Sequence, residues 1–471
     1  MHRSRADLLC RRTFIRRTAA LSIAGAGSSY ALGLAGLGEL AAQSSENDYK
    51  ALVCVFLRGG NDHANTLIPY DSLNYSRYSQ IRGGQQGIAI PHQDLSNTFL
   101  RLPEDQILTD DQLLALSPAM PKMKRRYDEG SLAPLLNVGP LLAPLTRAEF
   151  DSPNTRAYPR PAKLFSHNDQ QSTWEAFQPE GATTGWGGKL GDIALSSNQN
   201  TMFTAIGVSG NSVFLNGQDA SAFQITPSGP LIMWPVGSTL YGSRFSGDAL
   251  GTLLRQQSSH VLENDYAMMN ARSIEYSAFV KDALENAPAS TKFGGSGGLH
   301  AQLSIVAQII ASRSALGVKR QVFLVSIGGF DNHSDLKSKH QGLLQKLDGA
   351  LDAFYASLLS LGVQRDVTTF TASDFGRTLT SNGNGTDHGW GGHHFVLGGN
   401  VNGGRFFGRA PSISISSDDQ VGYGRLLPTT SVDEYASTLA LWFGVNASDL
   451  QYVAPNIGRF ARPDLGFMSR Q

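Results

Sequence analysis

The feature that most limits the fold of this chain is a set of short, apolar, β-branched runs separated by longer helical patterns. Runs of this length and composition are typical of strands that are buried on both faces of a parallel sheet. Four of them are Tyr49 to Leu57, Leu132 to Val138, Gln321 to Ile327 and Val367 to Ala372. Polar residues gather where each run ends, and in open α/β sheets ligands bind at the carboxyl ends of the strands. The pattern therefore predicts an α/β fold with a mostly parallel central sheet.

Helical patterns lie between and after these runs and place helices on the faces of the sheet. They are Gly251 to Ala287 (as two helices), Leu299 to Leu316, Leu343 to Leu361 and Tyr435 to Phe443. Ser431 and Glu434 form a capping box before the last of them. Residues 201–234 have short strand patterns and many turn residues, so we expect a β-rich insertion over or beside the site. Without internal repeats or linkers, residues 43–471 are predicted to form a single domain.

The first residues have the parts of an export signal. Arg11 to Arg16 resembles the twin-arginine consensus, and a weakly apolar stretch from Ala19 to Leu37 precedes small residues at Ala41 and Ala42. We expect residues 1–42 to be a cleaved signal for the twin-arginine translocase. The mature chain would then be periplasmic or extracellular. An uncleaved anchor is the alternative, although the glycines and serines of the stretch make it weakly hydrophobic for a spanning helix.

Charge and cysteine content exclude several classes of protein. The leader through Ala42 holds six arginines against two acidic residues, so the balanced total of 39 basic and 39 acidic residues becomes net negative after cleavage. We therefore expect no nucleic-acid partner, and no later segment is apolar enough to be a transmembrane span. Cys54 is the one cysteine after the leader, which excludes a disulfide framework and favours a small buried side chain.

Four polar clusters can carry chemistry, and all but the last directly follow a predicted strand. They are Arg58–His63, Gly328–Asp335, Ser373–Arg377 and Asp387–His394. Aspartate and histidine side chains that converge in a loop can hold a divalent cation. The alternative is a turn or helix cap, in which the aspartate accepts backbone N–H groups. His388, His393 and His394 make the last cluster the densest, and there a metal or acid–base role is favoured over core packing.

A fifth segment, Phe165 to Glu175, is also polar. Ser166 is the candidate nucleophile, with His167 as its neighbour or as a ligand. The alternative is an ordinary polar loop that leads into a helix. Thr146 and Ser172 are rival nucleophiles, because no nucleophile motif is unmistakable.

Taken together, these motifs resemble the domain-of-unknown-function 1501 family. The motifs are Phe56–Asp62 with Asn65, Thr66, Pro69 and Tyr70; Gly328–His333; Ser373–Thr378 with 385–389 and 398–399; and Ser437–Val445. That family is similar to the alkaline-phosphatase superfamily of phosphatases, phosphomutases and sulfatases. The resemblance implies an alkaline-phosphatase-like fold with metal ligands at the ends of strands.

The resemblance also implies roles for single residues. The implied metal ligands are Asp62 as the early acid, Asp331 with His333 as a middle set, Asp374 as the next acid, and His388 as a late histidine. Phe375 stands where the superfamily has a histidine, so one metal or a degenerate site is expected. His340 is an alternative partner for Asp331. Arg377 or Arg58 would bind the anionic group of the substrate.

These inferences lead to two functions of different class. The first is an exported, metal-dependent hydrolase that uses zinc, calcium or manganese to cleave a phosphate or sulfate ester of a small molecule or polysaccharide. Ser166 or a water would attack, and Arg377 would stabilise the developing charge. The second is a non-catalytic secreted protein that keeps the fold as a binding or assembly module, which Phe375 and the unclear nucleophile favour. Enzymatic activity is left open at this point.

Overall fold

The computed structural model describes residues 48–84, 87–231, 236, 238–295 and 297–469, so the predicted signal at 1–42 lies outside the described residues. The strands are β1 (Lys50–Arg58), β2 (Leu67–Pro69), β3 (Phe99–Leu100), β4 (Leu114–Leu116), β5 (Leu132–Gly139), β6 (Ala205–Gly207), β7 (Phe223–Thr226), β8 (Gly229–Pro230), β9 (Arg320–Gly328), β10 (Val367–Ser373), β11 (Gly392–Gly398) and β12 (Thr430–Ser431). The α-helices are α1 (Ser72–Arg82), α2 (Pro121–Asp128), α3 (Arg147–Asp151), α4 (His167–Ala176), α5 (Trp186–Ala194), α6 (Arg244–Leu254), α7 (Val261–Glu285), α8 (Gly298–Ala311), α9 (Leu336–Ser360), α10 (Val432–Phe443) and α11 (Leu450–Val453). Short 3-10 helices lie at His63–Asn65, His92–Thr98, Thr109–Asp111, Leu195–Ser197, Thr201–Phe203, Val213–Leu215, Ala289–Thr291, Ala447–Asp449 and Ile457–Arg459.

The centre of the molecule is a large mixed sheet. Within the described residues its nine strands have the order β12-β5-β11-β10-β1-β9-β6-β7-β8. β1 runs parallel to both β9 and β10, and β6 runs parallel to β9 and β7. β11 is antiparallel to β10 and β5. The predicted α/β fold with a mostly parallel central sheet is confirmed. A smaller antiparallel sheet has the order β2-β4-β3.

The sequence of β1 explains its central position. Side chains alternate between the two faces of a strand, and here both faces are covered by apolar core. Val53, Val55 and Leu57 belong to one core cluster, whereas Leu52 and Phe56 belong to another. Each such side chain contributes roughly 1.5–3 kcal/mol when it is fully buried. A run without a polar face is therefore stable only in the middle of a covered sheet.

Helices cover both faces of the sheet, as the helical patterns predicted. α8 and α9 supply Leu303 and Leu347 to the first core cluster, and α5 and α10 supply Leu190 and Leu439 to the second. The predicted capping box before α10 is present, because the Ser431 side chain accepts the Glu434 backbone N–H and the Glu434 side chain accepts the N–H of Ser431. Cys54, on β1, is buried in the second core cluster, and burial raises the pKa of its thiol well above the usual range.

Residues 201–234 contain β6, β7 and β8. These strands extend one edge of the central sheet beyond β9. Residues 232–235 of this segment lie outside the described part. In the residues that the structure describes, every helix is too short or too polar to cross a membrane.

Candidate metal centre

Three neighbouring strands place their carboxyl ends at one edge of the sheet. β9 and β10 flank β1, and the register aligns Arg58, the last residue of β1, with Gly328, the last residue of β9. Asp331 follows β9 and Asp374 follows β10. The polar loops after these three strands, which are far apart in the chain, therefore lie together at the carboxyl edge of the sheet, because the strands are parallel.

The loop after β1 packs directly against the other two loops. The N–H of Gly59 donates to both carboxylate oxygens of Asp374, at 3.2 Å each. Gly59 has a φ of 111°, and a Cβ atom at this position would lie 2.5 Å from the backbone nitrogen of Asp331. Only glycine allows this conformation and this close approach.

α4 brings a histidine to these loops. His167 is the first residue of α4, and its Nδ1 donates to Oδ2 of Asp374 at 2.7 Å. Asp374 thus holds the imidazole ring in one orientation through the nitrogen that faces away from the centre. Carboxylates that hold a histidine in this manner occur beside histidines that ligate metals.

Two further histidines are held in the same way. Nδ1 of His333 lies 3.2 Å from Oδ1 of Asp387, and Nδ1 of His388 lies 2.8 Å from the backbone oxygen of Phe165. Both partners are acceptors. We therefore assign the proton of each neutral ring to Nδ1, which leaves a lone pair on Nε2.

The three Nε2 atoms converge on one carboxylate. Nε2 of His333 lies 3.0 Å from Oδ1 of Asp331, and Nε2 of His388 lies 3.4 Å from the same oxygen. Nε2 of His167 lies 3.5 Å from Oδ2. The Nε2 atoms of His333 and His388 are 3.0 Å apart. His167, Asp331 and His388 each offer a ligand atom within 4.8 Å of the other two.

The chemistry of this donor set fits a divalent cation. Nε2 of His167 is buried and has no hydrogen-bond partner among the described residues. When the three rings are neutral, their Nε2 lone pairs and the carboxylate repel one another at these distances, and one shared cation relieves that repulsion. Imidazole nitrogens with a carboxylate are the ligands that zinc and related transition metals prefer.

The electrostatic surroundings keep two of these groups in the states that ligation requires. Burial lowers the pKa of His388, so its ring is neutral at neutral pH. Burial would raise the pKa of Asp331, but the hydrogen bond and charge of Arg377 lower it below the usual value, so the carboxylate is ionised. The hydrogen bond to Asp374 raises the pKa of His167. Ligand groups must be deprotonated to bind a metal.

Four of the five ligands predicted from the sequence lie in this cluster. Asp331, His333 and His388 contribute to its centre, whereas Asp374 contacts it through His167. His167, which the sequence offered only as a neighbour of Ser166 or as a ligand, also lies in this cluster. Its only sequence signal was its position beside Ser166 in a polar segment, because nothing local predicts that α4 starts at this edge of the sheet.

Asp62 has a different role from the predicted one. Its buried carboxylate forms an ion pair with Arg82 and caps the 3-10 helix that follows, accepting the backbone N–H groups of Ala64 and Asn65. The alternative of a helix cap therefore describes Asp62, and we leave it out of the metal site. The physical reason is that both of its oxygens are occupied away from the histidine cluster, Oδ1 by the N–H groups of Ala64 and Asn65 and Oδ2 by Arg82.

Arg377 is also placed differently from the prediction of a free anion clamp. The side chain is fully buried, and its Nη1 donates to the Gly59 backbone oxygen at 3.2 Å and to Oδ1 of Asp331 at 2.5 Å. Its Nε and Nη2 donate to the side chain and backbone oxygens of Thr386. Because these donors are used inside the protein, Arg377 positions Asp331 and cannot receive a substrate anion.

The dense histidine cluster divides into two environments. His388 lies in the centre, but His393 and His394 belong to β11 and are buried. His394 packs against Trp174, with 4.7 Å between ring centroids. Nδ1 of His393 accepts the backbone N–H of Asn137. The structure therefore places both histidines in the sheet and not in the centre, contrary to the prediction. His340 is likewise buried on α9, where its Nε2 lies 2.9 Å from Oδ1 of Asn61.

Phe375 fills the position where the resemblance implies a histidine. Its ring centroid lies 4.7 Å from those of both His167 and His388. The buried aromatic ring therefore packs against both imidazoles. A Cβ on Gly60 would lie 2.3 Å from this ring, so the loop after β1 also fixes Phe375.

Ser166 immediately precedes His167. Its Oγ donates to Oδ2 of Asp169 at 2.9 Å, and Nζ of Lys163 lies 3.3 Å from the other oxygen of Asp169. The rival hydroxyls have structural partners, since Thr146 forms the capping box of α3 and Ser172 donates to the backbone oxygen of Pro179.

Arg425 adjoins the centre with part of its guanidinium free. The group lies over the rings of Phe165 and Tyr423, at 4.8 and 5.2 Å from their centroids. Its Nε donates to the backbone oxygen of His388 at 2.9 Å. Among the described residues, no acceptor is bonded to its Nη1 or Nη2. A half-buried guanidinium held in this way offers two parallel donors to an anion.

The fold and the site together define an α/β protein with a histidine- and aspartate-lined centre at the carboxyl edge of its sheet. Comparison with solved structures finds distant matches. The sulfatase PsFucS1 from Pseudoalteromonas sp. matches at 9% identity with a TM-score of 0.37, covering 95% of this chain and 78% of its own. The lipoteichoic acid synthase LtaP from Listeria monocytogenes matches at 11% identity, with a TM-score of 0.33 and 87% and 77% coverage. A variant of the alkaline phosphatase PafA matches at 12% identity, with a TM-score of 0.27 and 70% and 63% coverage.

The family model described as "Protein of unknown function (DUF1501)" matches residues 250–453. This stretch includes the motifs at Gly328–His333, Ser373–Thr378 and Ser437–Val445, and the resemblance drawn from them is confirmed there. The opening motif at Phe56–Asp62 lies before the match. No curated protein matches the chain.

Proposed function

We propose that this protein is an exported, metal-dependent hydrolase of phosphate or sulfate esters whose site holds a single metal ion instead of two. The observation that carries the proposal is the convergence of three imidazole Nε2 atoms on Asp331, with each Nδ1 held by an acceptor. Buried histidines elsewhere in the protein also form hydrogen bonds, but the Nε2 atoms of these three rings all face one carboxylate. Three anchored rings that face one carboxylate are typical of metal ligands with their supporting groups.

The residues divide into ligands and positioning groups. The ligands would be His167, His333, His388 and Asp331. Asp374 and Asp387 would orient two of the rings, and Arg377 would hold Asp331. When bound, a divalent cation would supply Lewis-acid polarisation of the ester oxygen. Because the set is rich in imidazole, zinc or a related transition metal suits it better than calcium, which prefers oxygen ligands.

The groups around the centre suit an anionic ester. Arg425 would take the role that the sequence assigned to Arg377, and its free Nη1 and Nη2 would bind the phosphate or sulfate oxygens. Arg58, half-buried at the end of β1, is a second candidate for this role. Ser166 remains the proposed nucleophile, with its hydroxyl oriented by Asp169. The substrate class itself comes from the family resemblance.

The test begins with the metal. Elemental analysis of the purified mature protein should find about one equivalent of a transition metal, given one set of ligands. His167→Ala and His388→Ala should lose it without loss of helix content. His92→Ala is the matched control, because His92 is exposed and bonded to the Tyr70 backbone. If both site variants keep the metal, the assignment of the centre is wrong.

Activity is tested separately with p-nitrophenyl phosphate and p-nitrophenyl sulfate. We expect hydrolysis of one of them by the metal-loaded protein and loss of turnover in Ser166→Ala. Hydrolysis unaffected in Ser166→Ala would assign the attack to water instead. A protein that holds its metal but cleaves neither these probes nor a panel of phosphorylated and sulfated saccharides would support the non-catalytic binding module.

Export rests on the leader sequence, outside the described residues. Arg11→Lys with Arg12→Lys should retain the protein in the cytoplasm, because the arginine pair is the feature that the twin-arginine translocase reads. Arg3→Lys with Arg5→Lys, outside the pair, is the control. Cell fractionation that finds both variants exported equally would reject the twin-arginine assignment.

A further inference from the structure

Most of the exposed large apolar side chains among the described residues lie in one helical arm, residues 231–279. Fifteen large apolar side chains are exposed in the described residues, and ten of them fall between Leu231 and Phe279. This stretch includes α6 and α7. Single exposed apolar residues are ordinary, but a concentration of them marks an interaction surface.

The two halves of α7 have different surroundings. In the C-terminal half, Val280 is 2% exposed and the Tyr276 ring packs against that of Phe203 at 5.7 Å. In the N-terminal half, Leu262, Tyr266 and Met269 are 73%, 61% and 67% exposed.

These residues belong to one stripe. Positions 262, 266, 269, 273, 276 and 280 alternate by four and three, which is the spacing of a helix–helix seam. All of them are apolar or aromatic except Ser273, which is exposed. The stripe is covered by the protein's own core at its C-terminal end and is uncovered at its N-terminal end. A second helix laid along the N-terminal half would continue the same packing.

The charged residues beside the stripe indicate which helix would pack on the N-terminal half of α7. Asp265 and Arg272 lie seven residues apart, on the same flank of the stripe, and neither forms an ion pair within the described part of the chain. A separation of seven residues is about 10 Å along a helix, too far for them to pair with each other. In an antiparallel pair of identical helices centred near Met269, Asp265 of each copy lies beside Arg272 of the other. The surface is therefore complementary to itself.

We infer that the N-terminal half of α7 is the interface of a homodimer in which two copies of α7 pair antiparallel about a two-fold axis. Phe245 and Leu253 of the neighbouring α6 are also exposed and would widen the interface. Two-fold dimers use the same patch on both subunits, as this geometry does. An interface of one helix pair with its flanks lies near the lower end of the roughly 1,200–2,000 Å² that specific complexes bury, so the dimer should dissociate on dilution.

Sedimentation velocity of the mature protein over a concentration series tests the inference. The wild-type protein should shift from monomer to dimer as its concentration rises, and Met269→Glu should remain monomeric. Ile107→Glu is the matched control, because Ile107 is 81% exposed outside the arm, and it should dimerise like the wild type. A wild-type protein that is monomeric at every concentration would overturn the inference. If that monomer also co-sediments with phospholipid vesicles, the surface binds lipid instead.

A charge exchange tests the antiparallel geometry. Asp265→Arg and Arg272→Asp should each weaken the dimer at least tenfold. Each substitution places like charges beside each other at both of the symmetry-related contacts between residues 265 and 272. The double variant Asp265→Arg/Arg272→Asp restores opposite charges and should recover dimerisation. Recovery cannot come from a change within one subunit, since the two side chains do not meet there. Failure of the double variant to recover, with the wild type dimeric, would reject this pairing.

Discussion

At the scale of single residues, aspartates in similar sequence contexts have different tasks. Asp62 and Asp374 both follow a central strand, and both were expected to bind metal. Asp62 faces a buried arginine, whereas Asp374 faces a histidine. The difference comes from which side chain reaches each aspartate from elsewhere in the chain, and local sequence contains no information on that partner. Substitutions at the two positions should therefore have opposite effects.

Asp62→Asn should destabilise the fold and leave the metal content unchanged. Arg82 would remain buried without its counter-charge, and breaking a buried pair in this way costs about 3–5 kcal/mol. Urea unfolding with elemental analysis on the same sample measures both quantities. Loss of metal from a folded Asp62→Asn protein would restore Asp62 to the ligand set.

Asp374→Asn should have the reverse effect, with weaker metal binding and little loss of stability. The amide would still occupy the space but would no longer stabilise the proton on Nδ1 of His167, and loss of such a supporting carboxylate lowers metal affinity about 10–100-fold. Competition with a chelating dye measures the affinity. Asp366→Asn, at the opposite end of β10, is the control and should bind metal normally.

At the scale of elements, the contact between two loops depends on one glycine. Gly59→Ala should strain the backbone, because φ is 111°, and should also push Asp331 away from the histidines, because the added Cβ would lie 2.5 Å from its backbone nitrogen. We expect a loss of about 1–3 kcal/mol together with lowered metal affinity. Gly130→Ala separates the two effects, since Gly130 has a φ of 73° but no neighbour within 4 Å of the added atom. The Gly130→Ala variant should lose stability but keep its metal affinity. Equal metal affinity in the two variants would reject the idea that the added Cβ at position 59 displaces Asp331.

The strands could be predicted from sequence because burial on both faces leaves a simple signature. The predicted run from Val367 to Ala372 and the observed β10 differ by one residue. The start of α9 was less predictable: it begins at Leu336, seven residues before the predicted start. Its first two turns contain lysines, a histidine and a glycine, so the apolar periodicity begins only later. Propensity is a weak guide where tertiary contacts determine a helix end.

The location of the candidate site could be predicted from the sequence, but the residues that form it could be predicted only in part. Strand ends give the location, because parallel strands must deliver their loops to one edge. Membership depends on contacts between distant segments. His167 belongs to the site because α4 begins beside it. His393 and His394 do not belong to it, because the antiparallel β11 begins at Gly392. Neither fact has a local signature that one sequence could reveal.

At the scale of the whole molecule, buried histidines tie stability to pH. Burial lowers the pKa of both His63 and His340 to about 4 and that of His394 to about 3. In the unfolded chain these groups titrate near pH 6.5. Between about pH 6.5 and 4 these three histidines bind more protons in the unfolded than in the folded state, so their contribution to the free energy of unfolding falls as the pH is lowered. Burial raises the pKa of Asp433 to about 7 and that of Asp348 to about 6, and these two carboxyls act in the opposite direction.

We accordingly expect the contribution of these histidines to be constant from pH 8 to about 7 and to fall below about pH 6.5, by on the order of 2–3 kcal/mol for each buried histidine at pH 4.5. Urea unfolding in the presence of a chelator measures this without a contribution from the metal site. His394→Gln should flatten the slope between pH 6.5 and 4.5, because one titrating group is removed from the core. His92→Gln, which changes an exposed ring, should leave the slope unchanged. If His394→Gln has the wild-type slope, the acid sensitivity arises elsewhere, and the remaining buried histidines become the groups to replace next.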